Sequence, residues 1–138
     1  MPKFQELSVG DLVASEVFEI SRDSLVRYAG ASGDFNPIHY RDDVAQSVGL
    51  PGVLAHGMLT MGLAVQPVIN WIGDQAKILD YGVRFTKPVV VPAIGSAELT
   101  VVATIAQLDE QEQRARVDLA CSFEGNNVLG KAQVWVQL

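Results

Sequence analysis

The sequence predicts an α+β fold in which an antiparallel sheet wraps around one long helix. From His56 to Ile72 apolar residues lie on nearly every helical face, so we expect a helix that is buried all round. After Gly73 the hydrophobic pattern changes to a period of two, which predicts long antiparallel strands. A helix without a polar face needs a curved sheet to cover it, and this is an α+β layer arrangement.

The strands follow from alternation and from turn residues. Residues 13–20 alternate roughly and predict a first strand. Four more are expected after the long helix, the last three joined by hairpin turns at 109–111 and 124–127; they lie at about 77–87, 94–107, 113–123 and 127–137. This order of elements matches the hot-dog fold, in which a sheet wraps a central helix.

Two short helices are predicted between the first strand and the long helix. Ser21 is expected to cap the first, which Gly30 and Gly33 end. Asp42 is expected to cap the second, which stops near Gly49. Within the long helix, Pro67 is expected to cause a kink or to mark an exposed end.

Length and charge restrict the function. The 138 residues predict a single domain over 1–138, and a formal charge of −6 with no basic cluster argues against nucleic-acid binding. The one cysteine, Cys121, allows no internal disulfide and is expected to be a packed core residue. We find neither a signal-peptide pattern nor an apolar stretch long enough to span a membrane, so a cytoplasmic location is expected.

The loop at residues 33–40 contains the first candidate for chemistry. Asp34 and His39 are five positions apart, and a turn at Asn36 and Pro37 would fold them back toward a shared water. Pro37 also stiffens the loop, which favours fixed side-chain geometry. The alternative is that Asp34 caps the turn and His39 is an ordinary histidine.

The second candidate is Gly57, at the start of the long helix. Backbone N–H groups there have no partner within the helix and carry partial positive charge, so they can stabilise an oxygen that gains negative charge. The alternative is a glycine required by packing. With two histidines and one cysteine in the chain, and no metal-binding or nucleotide-binding spacing, no metal and no bound cofactor are expected.

Two segments together resemble the signature of the MaoC-like dehydratase, or (R)-specific enoyl-CoA hydratase, family. They are Tyr28–His39, with the core Gly-Asp-Phe-Asn-Pro-Ile-His, and Ala55–Leu59, with Ala-His-Gly-Met-Leu. The segment Tyr81–Val89 is similar to the family strand after the central helix. Within the family the chain most resembles the catalytic B subunits of the (3R)-hydroxyacyl-carrier-protein dehydratases of mycolic-acid synthesis.

The resemblance implies the hydration of enoyl thioesters, or the reverse dehydration. Asp34 and His39 would activate a water, the Gly57 N–H would bind the thioester oxygen, and Asn36 and Pro37 would support the loop. One departure concerns Val65, which stands where some family hydratases have a serine eight positions after the glycine. It places pocket polarity and chain-length preference in doubt.

The substrate contacts are expected on the long helix and the strand after it. An acyl tunnel is expected to include Met58, Met61, Leu63 and Val65, although all four are equally good core residues. Arg84 and Lys87 are expected to meet coenzyme A phosphates or an acyl-carrier protein, with a solvated strand edge as the alternative.

One hot-dog sheet leaves an edge strand unpaired, so a dimer is expected, with an identical or a non-catalytic hot-dog subunit. Two other functions remain open at this stage. The chain would be an acyl thioesterase if it released thiol from a saturated acyl-CoA. It would be a non-catalytic acyl-binding subunit if it bound enoyl thioesters without changing them.

Overall fold

The computed structural model describes residues 2–74 and 76–138, which form one antiparallel sheet with a long helix against it. The helices are α1 (Arg22–Ser32), α2 (Asp42–Ser47) and α3 (Gly57–Ile72), with short 3-10 turns at Phe4–Glu6 and Pro37–His39. The strands are β1 (Leu12–Ser21), β2 (Lys77–Phe85), β3 (Ser96–Asp109), β4 (Arg114–Phe123), β5 (Asn126–Asn127) and β6 (Leu129–Gln137). The predicted α+β hot-dog arrangement is therefore confirmed.

The sheet has the order β1-β3-β4-β6-β2, with the short β5 paired to β4. Side chains of a strand alternate between the two faces, and β3 shows this clearly: Ala97, Leu99, Val101, Ala103 and Ile105 are all buried. Cys121 of β4 lies in the same core, where burial raises the pKa of its thiol to about 12. The prediction that Cys121 is a packed residue is confirmed.

The predicted strand ends agree with the structure to within two residues. The two-residue strand β5 is an addition that sequence periodicity did not predict. It follows a tight turn in which Glu124 and Gly125 both have positive φ, 50° and 75°. Among the described residues no helix is long and apolar enough to cross a membrane.

Helix α3 is buried on one side only, so the expectation of burial all round is wrong for this chain by itself. Thr60, Ala64 and Val68 are buried, whereas Met58 is 59% exposed and Ile69 39% exposed. The reason is that a single sheet covers only one side of a helix. Pro67 is buried within the helix, which continues to Ile72, so Pro67 does not mark an exposed end.

The caps of the short helices differ partly from the prediction. Ser21 caps α1 as predicted, in a reciprocal pair in which Ser24 N–H donates to Ser21 Oγ at 3.2 Å and Ser21 N–H to Ser24 Oγ at 3.1 Å. Gly30 lies inside α1, and only Gly33, with φ of 76°, ends it.

Asp42 is not the cap of α2 but its first residue, following Arg41. Its Oδ1 accepts hydrogen bonds from Val53 N–H at 3.0 Å and from Arg22 Nη2 at 2.8 Å. Arg22 also donates from Nε to the Val91 carbonyl at 2.8 Å. The Arg22 guanidinium, followed by the Val53 N–H, lowers the pKa of the Asp42 carboxyl from its usual 3.8. Asp42 thus connects α1, α2 and the chain that leads to α3.

Replacing Asp42 should destabilise the fold more than replacing its neighbour Asp43. We expect Asp42→Ala to lower the urea midpoint, because three segments lose a common acceptor. The pKa of Asp42 is lower in the folded state than in the unfolded state. The extra stability of the wild type over Asp42→Ala is therefore fully present above pH 3.8 and is lost as the pH falls further.

The control is Asp43→Ala, because Asp43 pairs with Arg41, two residues away along the chain. Urea unfolding of both variants at neutral and acid pH measures the difference. Equal midpoints for the two variants at neutral pH would contradict this account of Asp42.

Candidate active site

The loop after α1 is folded by its own side chains. Asn36 N–H donates to Asp34 Oδ1 at 3.1 Å, and Ile38 N–H donates to Asn36 Oδ1 at 3.2 Å. Pro37 then begins the 3-10 turn that ends at His39. These local bonds reverse the chain direction, so the predicted return of His39 toward Asp34 occurs, with Asn36 and Pro37 in the turn.

His39 is held in one orientation and one tautomer. Its Nδ1 lies 2.8 Å from the Leu54 carbonyl oxygen, and a carbonyl only accepts, so Nδ1 carries the proton. In the neutral ring Nε2 then has a free lone pair. This atom lies 3.9 Å from Asp34 Oδ2, which is too far for a direct hydrogen bond but short enough for one water to contact both.

The N-terminus of α3 lies beside this pair. Gly57 is the first residue of the helix, so its N–H has no acceptor within the helix. A Cβ at Gly57 would lie 3.1 to 3.3 Å from atoms of the Phe85 ring, so packing also favours glycine here. Both the packing explanation and the predicted exposure of the N–H are compatible with this geometry.

His39 and Gly57 line the same cavity, whose volume is about 340 Å³. The other lining residues are mainly apolar or aliphatic; they are Leu54, Ala55, Thr60, Phe85, Thr86, Lys87, Pro88, Val89, Val128 and Leu129. A second hollow of about 260 Å³, almost purely apolar, also borders His39 and is formed by Leu25, Val26, Ala29, Phe35 and Tyr40. His39 is therefore in contact with both spaces.

The predicted substrate contacts are distributed differently. Lys87 lines the cavity and donates from Nζ to Asn126 Oδ1 at 3.1 Å, whereas Arg84 is exposed on β2 and does not line it. None of the four predicted tunnel residues lines the cavity in this chain. Val65 belongs to the hydrophobic core, and Leu63 packs against that core. Met58 is exposed, and Met61 is partly buried.

His56 is the residue of the site that sequence reasoning missed. It is 1% exposed, its ring stacks on that of His39 with 3.9 Å between centroids, and its Nε2 lies 3.2 Å from the Asp34 carbonyl oxygen. Burial, which disfavours the charged ring, lowers the pKa of His56 from its usual 6.5. Its signal in the sequence is its place in the Ala55–Leu59 segment, directly before Gly57.

Asp34, His39 and His56 each offer one atom within 4.8 Å of the others, so these residues could in principle hold a metal ion. The ring planes of the two histidines are stacked and only 22° apart. Nitrogen lone pairs lie in the ring plane, so stacked rings do not direct them at one tetrahedral centre. The arrangement fits proton transfer better than metal coordination.

Comparisons with known proteins give the family. Residues 6–121 match the profile of the MaoC like domain. The chain is 39% identical over 77 residues to 3-hydroxyacyl-thioester dehydratase X of Mycobacterium tuberculosis, covering 56% of this chain and 26% of that protein. It is 31% identical over 137 residues to 3-hydroxybutyryl-CoA dehydratase of Methylorubrum extorquens, covering 96% of this chain and 83% of that protein.

Solved structures agree on the fold. A structure described as a MaoC-like dehydratase has a TM-score of 0.95 at 37% identity, covering 99% of this chain and 42% of that one. Chains from the ChsH1-ChsH2 and HadBC complexes of Mycobacterium tuberculosis give TM-scores of 0.82 and 0.72. Their identities of 19% and 18%, over 95% and 94% of this chain and 98% and 96% of theirs, show the fold alone.

The chain thus spans 26% of the first of these relatives and 42% of the first solved structure, but 83% of the second relative. The domain profile matches most of its length, and the second relative matches nearly all of it. On these grounds the chain belongs to the MaoC-like dehydratase family.

Proposed function

We propose that this chain is a hydro-lyase that reversibly hydrates trans-2-enoyl thioesters and dehydrates (3R)-hydroxyacyl thioesters. The observation that carries the proposal is the 3.9 Å separation of Asp34 Oδ2 and His39 Nε2, next to the helix N-terminus at Gly57. The dehydratase names of the two relatives support the same reaction class.

In hydration, one water lies between Asp34 Oδ2 and His39 Nε2. The free lone pair at Nε2 accepts a proton from this water as its oxygen bonds to C3 of the enoyl thioester. The π electrons of the double bond move toward C2 and the thioester carbonyl, and a proton from the pair is then delivered to C2. Dehydration follows the same path in reverse.

Negative charge gathers on the thioester oxygen between these two proton transfers. The Gly57 N–H at the positive end of α3 is the donor that stabilises it. The cavity shared by His39 and Gly57 would hold the substrate, whose apolar chain suits walls such as Val128 and Leu129. Lys87 on the same wall would meet an anionic carrier, either coenzyme A or an acyl-carrier protein.

The roles of Asp34 and His39, here called the dyad, are tested by measuring the hydration of crotonyl-CoA and longer trans-2-enoyl-CoA substrates. Hydration is followed by the loss of their ultraviolet absorbance. We expect Asp34→Asn and His39→Ala each to lower turnover by at least about 100-fold, since each removes a proton-transfer group. Circular dichroism establishes that both variants are folded.

Asp43→Asn is a matched control, because it makes the same carboxylate-to-amide change at a residue that pairs with Arg41 and lines neither of the two cavities that border His39. Folded dyad variants with activity within a few-fold of the wild type would contradict the assignment. Release of free thiol in place of hydration would instead indicate a thioesterase.

An alanine at position 57 would crowd the Phe85 ring and would also hinder access to the backbone N–H. Two variants are therefore needed to separate these effects. Gly57→Ala should lower turnover by about 100-fold and disturb the Phe85 ring. The double variant Gly57→Ala with Phe85→Ala relieves the conflict, so thermal stability should return while turnover stays well below that of Phe85→Ala alone, the reference needed because Phe85 also lines the cavity. Recovery of both quantities would show that Gly57 serves packing alone.

We further propose that the chain works as a dimer with a second hot-dog subunit, identical or non-catalytic. Strand β2 is an edge of the sheet, and its Ile78, Leu79 and Phe85 are 37%, 48% and 55% exposed. It adjoins α3, whose Met61 carbonyl accepts from the Tyr81 hydroxyl at 2.7 Å. An exposed apolar edge beside an exposed apolar helix face is a surface that a partner covers.

Sedimentation measures this association. We expect the wild type to dimerise, alone or with a second hot-dog chain, and Leu79→Lys to weaken the dimer by placing a charge in the interface. The control is Val17→Lys, at a residue that is 59% exposed on the opposite edge strand β1. Equal association of the two variants would contradict the proposed surface.

A further inference from the structure

His56 contains a buried polar atom without a partner. The residue is 1% exposed, and its Nδ1 makes no hydrogen bond in the part of the chain that the structure describes. Leaving a buried acceptor unpaired destabilises a fold. An apolar side chain at this position would avoid that cost, so packing alone does not explain a histidine here.

The other ring nitrogen accounts for the choice of residue. Nε2 lies 3.2 Å from the backbone carbonyl oxygen of Asp34, which only accepts, so Nε2 carries the proton of the neutral ring. This leaves Nδ1 as the unpaired acceptor. The ring therefore donates one hydrogen bond, and that bond reaches the main chain of the loop carboxylate.

The ring of His56 also contacts two other rings. The His39 ring stacks on it at 3.9 Å with 22° between the planes, and the Tyr28 ring contacts it edge-on at 4.7 Å. His56 is also the N-cap residue of α3, directly before Gly57. One side chain thus contacts the Asp34 main chain and the His39 ring from the residue next to the oxyanion donor.

We propose that His56 is a positioning residue that holds Asp34 and His39 at the separation needed to share one water. This inference rests on the proposed hydratase function. His56 does not exchange protons with the substrate, because it is enclosed and its only donor is used on a carbonyl. It acts mainly through the hydrogen bond, which locates Asp34; the stack is secondary, because the Leu54 carbonyl already orients the His39 ring.

Two substitutions separate these contacts. His56→Phe keeps a flat ring against His39 and removes the donor, whereas His56→Gln keeps a donor near the position of Nε2 and removes the ring. We expect His56→Phe to lower kcat by about 10- to 100-fold, the size of effect that misplacing a reactive group by about 1 Å produces. KM should change little, because the residue does not line the cavity.

Rescue and stability distinguish positioning from a structural role. His56→Gln should recover a large part of kcat. His56→Phe should unfold at the wild-type temperature or above it, because it also removes the unpaired nitrogen. A fully active His56→Phe variant would overturn the proposal, and so would a His56→Gln variant that is as slow as His56→Phe.

Nuclear magnetic resonance tests the contact without any substrate. The chain has two histidines, so His56→Phe assigns both imidazoles in an ¹⁵N-labelled sample. We expect His56 to show the tautomer protonated at Nε2, and the opposite tautomer would overturn the inference. A wild-type chain that is inactive on every enoyl thioester but shows the expected tautomer would contradict the proposed function and leave the contact confirmed.

Discussion

The site depends most on the hydrogen bond from His39 Nδ1–H to the Leu54 carbonyl, at 2.8 Å. It determines the ring orientation and the tautomer together, because the protonated nitrogen faces the main chain and the bare one faces Asp34. The Leu54 N–H in turn donates to the Ile38 carbonyl at 3.1 Å. Two hydrogen bonds therefore join the loop that carries His39 to the main chain at Leu54. In the proposed reaction, His39 would need no rearrangement before it accepts a proton, because backbone geometry already aims its lone pair.

The segment that contains Leu54 is itself held in place by backbone hydrogen bonds. Ala55 N–H donates to the Val89 carbonyl and Val91 N–H donates to the Val53 carbonyl, both at 2.9 Å. Val53 and Val91 are fully buried, so water does not compete for these bonds. The position of His39 relative to Gly57 therefore follows from backbone bonds on either side of Leu54. This explains how a short polar loop can hold a geometry that side-chain contacts alone would leave loose.

Features set by local sequence could be predicted, and those set by distant contacts could not. The strands, the Ser21 cap and the return of His39 toward Asp34 follow from alternation, from serine spacing and from a turn at Asn36, all within a few residues. The burial of His56 and the bonds of Asp42 to Arg22 and Val53 join segments far apart in the chain. The walls of the cavity come from the start of α3, from β2 and β6 and from the loop between β2 and β3, and this combination of distant segments could not be predicted from the pattern of any one element.

The partial exposure of α3 follows from the same physical argument that predicted its burial. A helix with apolar residues on nearly every face is stable in water only when every face is covered. The sheet of this chain covers the side with Ala64 and Val68, and leaves Met58 and Ile69 in solvent. The apolar face of α3 that this sheet leaves exposed is the face that the proposed second hot-dog subunit would cover. Edge strand β2 exposes apolar side chains beside the same helix, so the proposed second subunit would cover both surfaces at once.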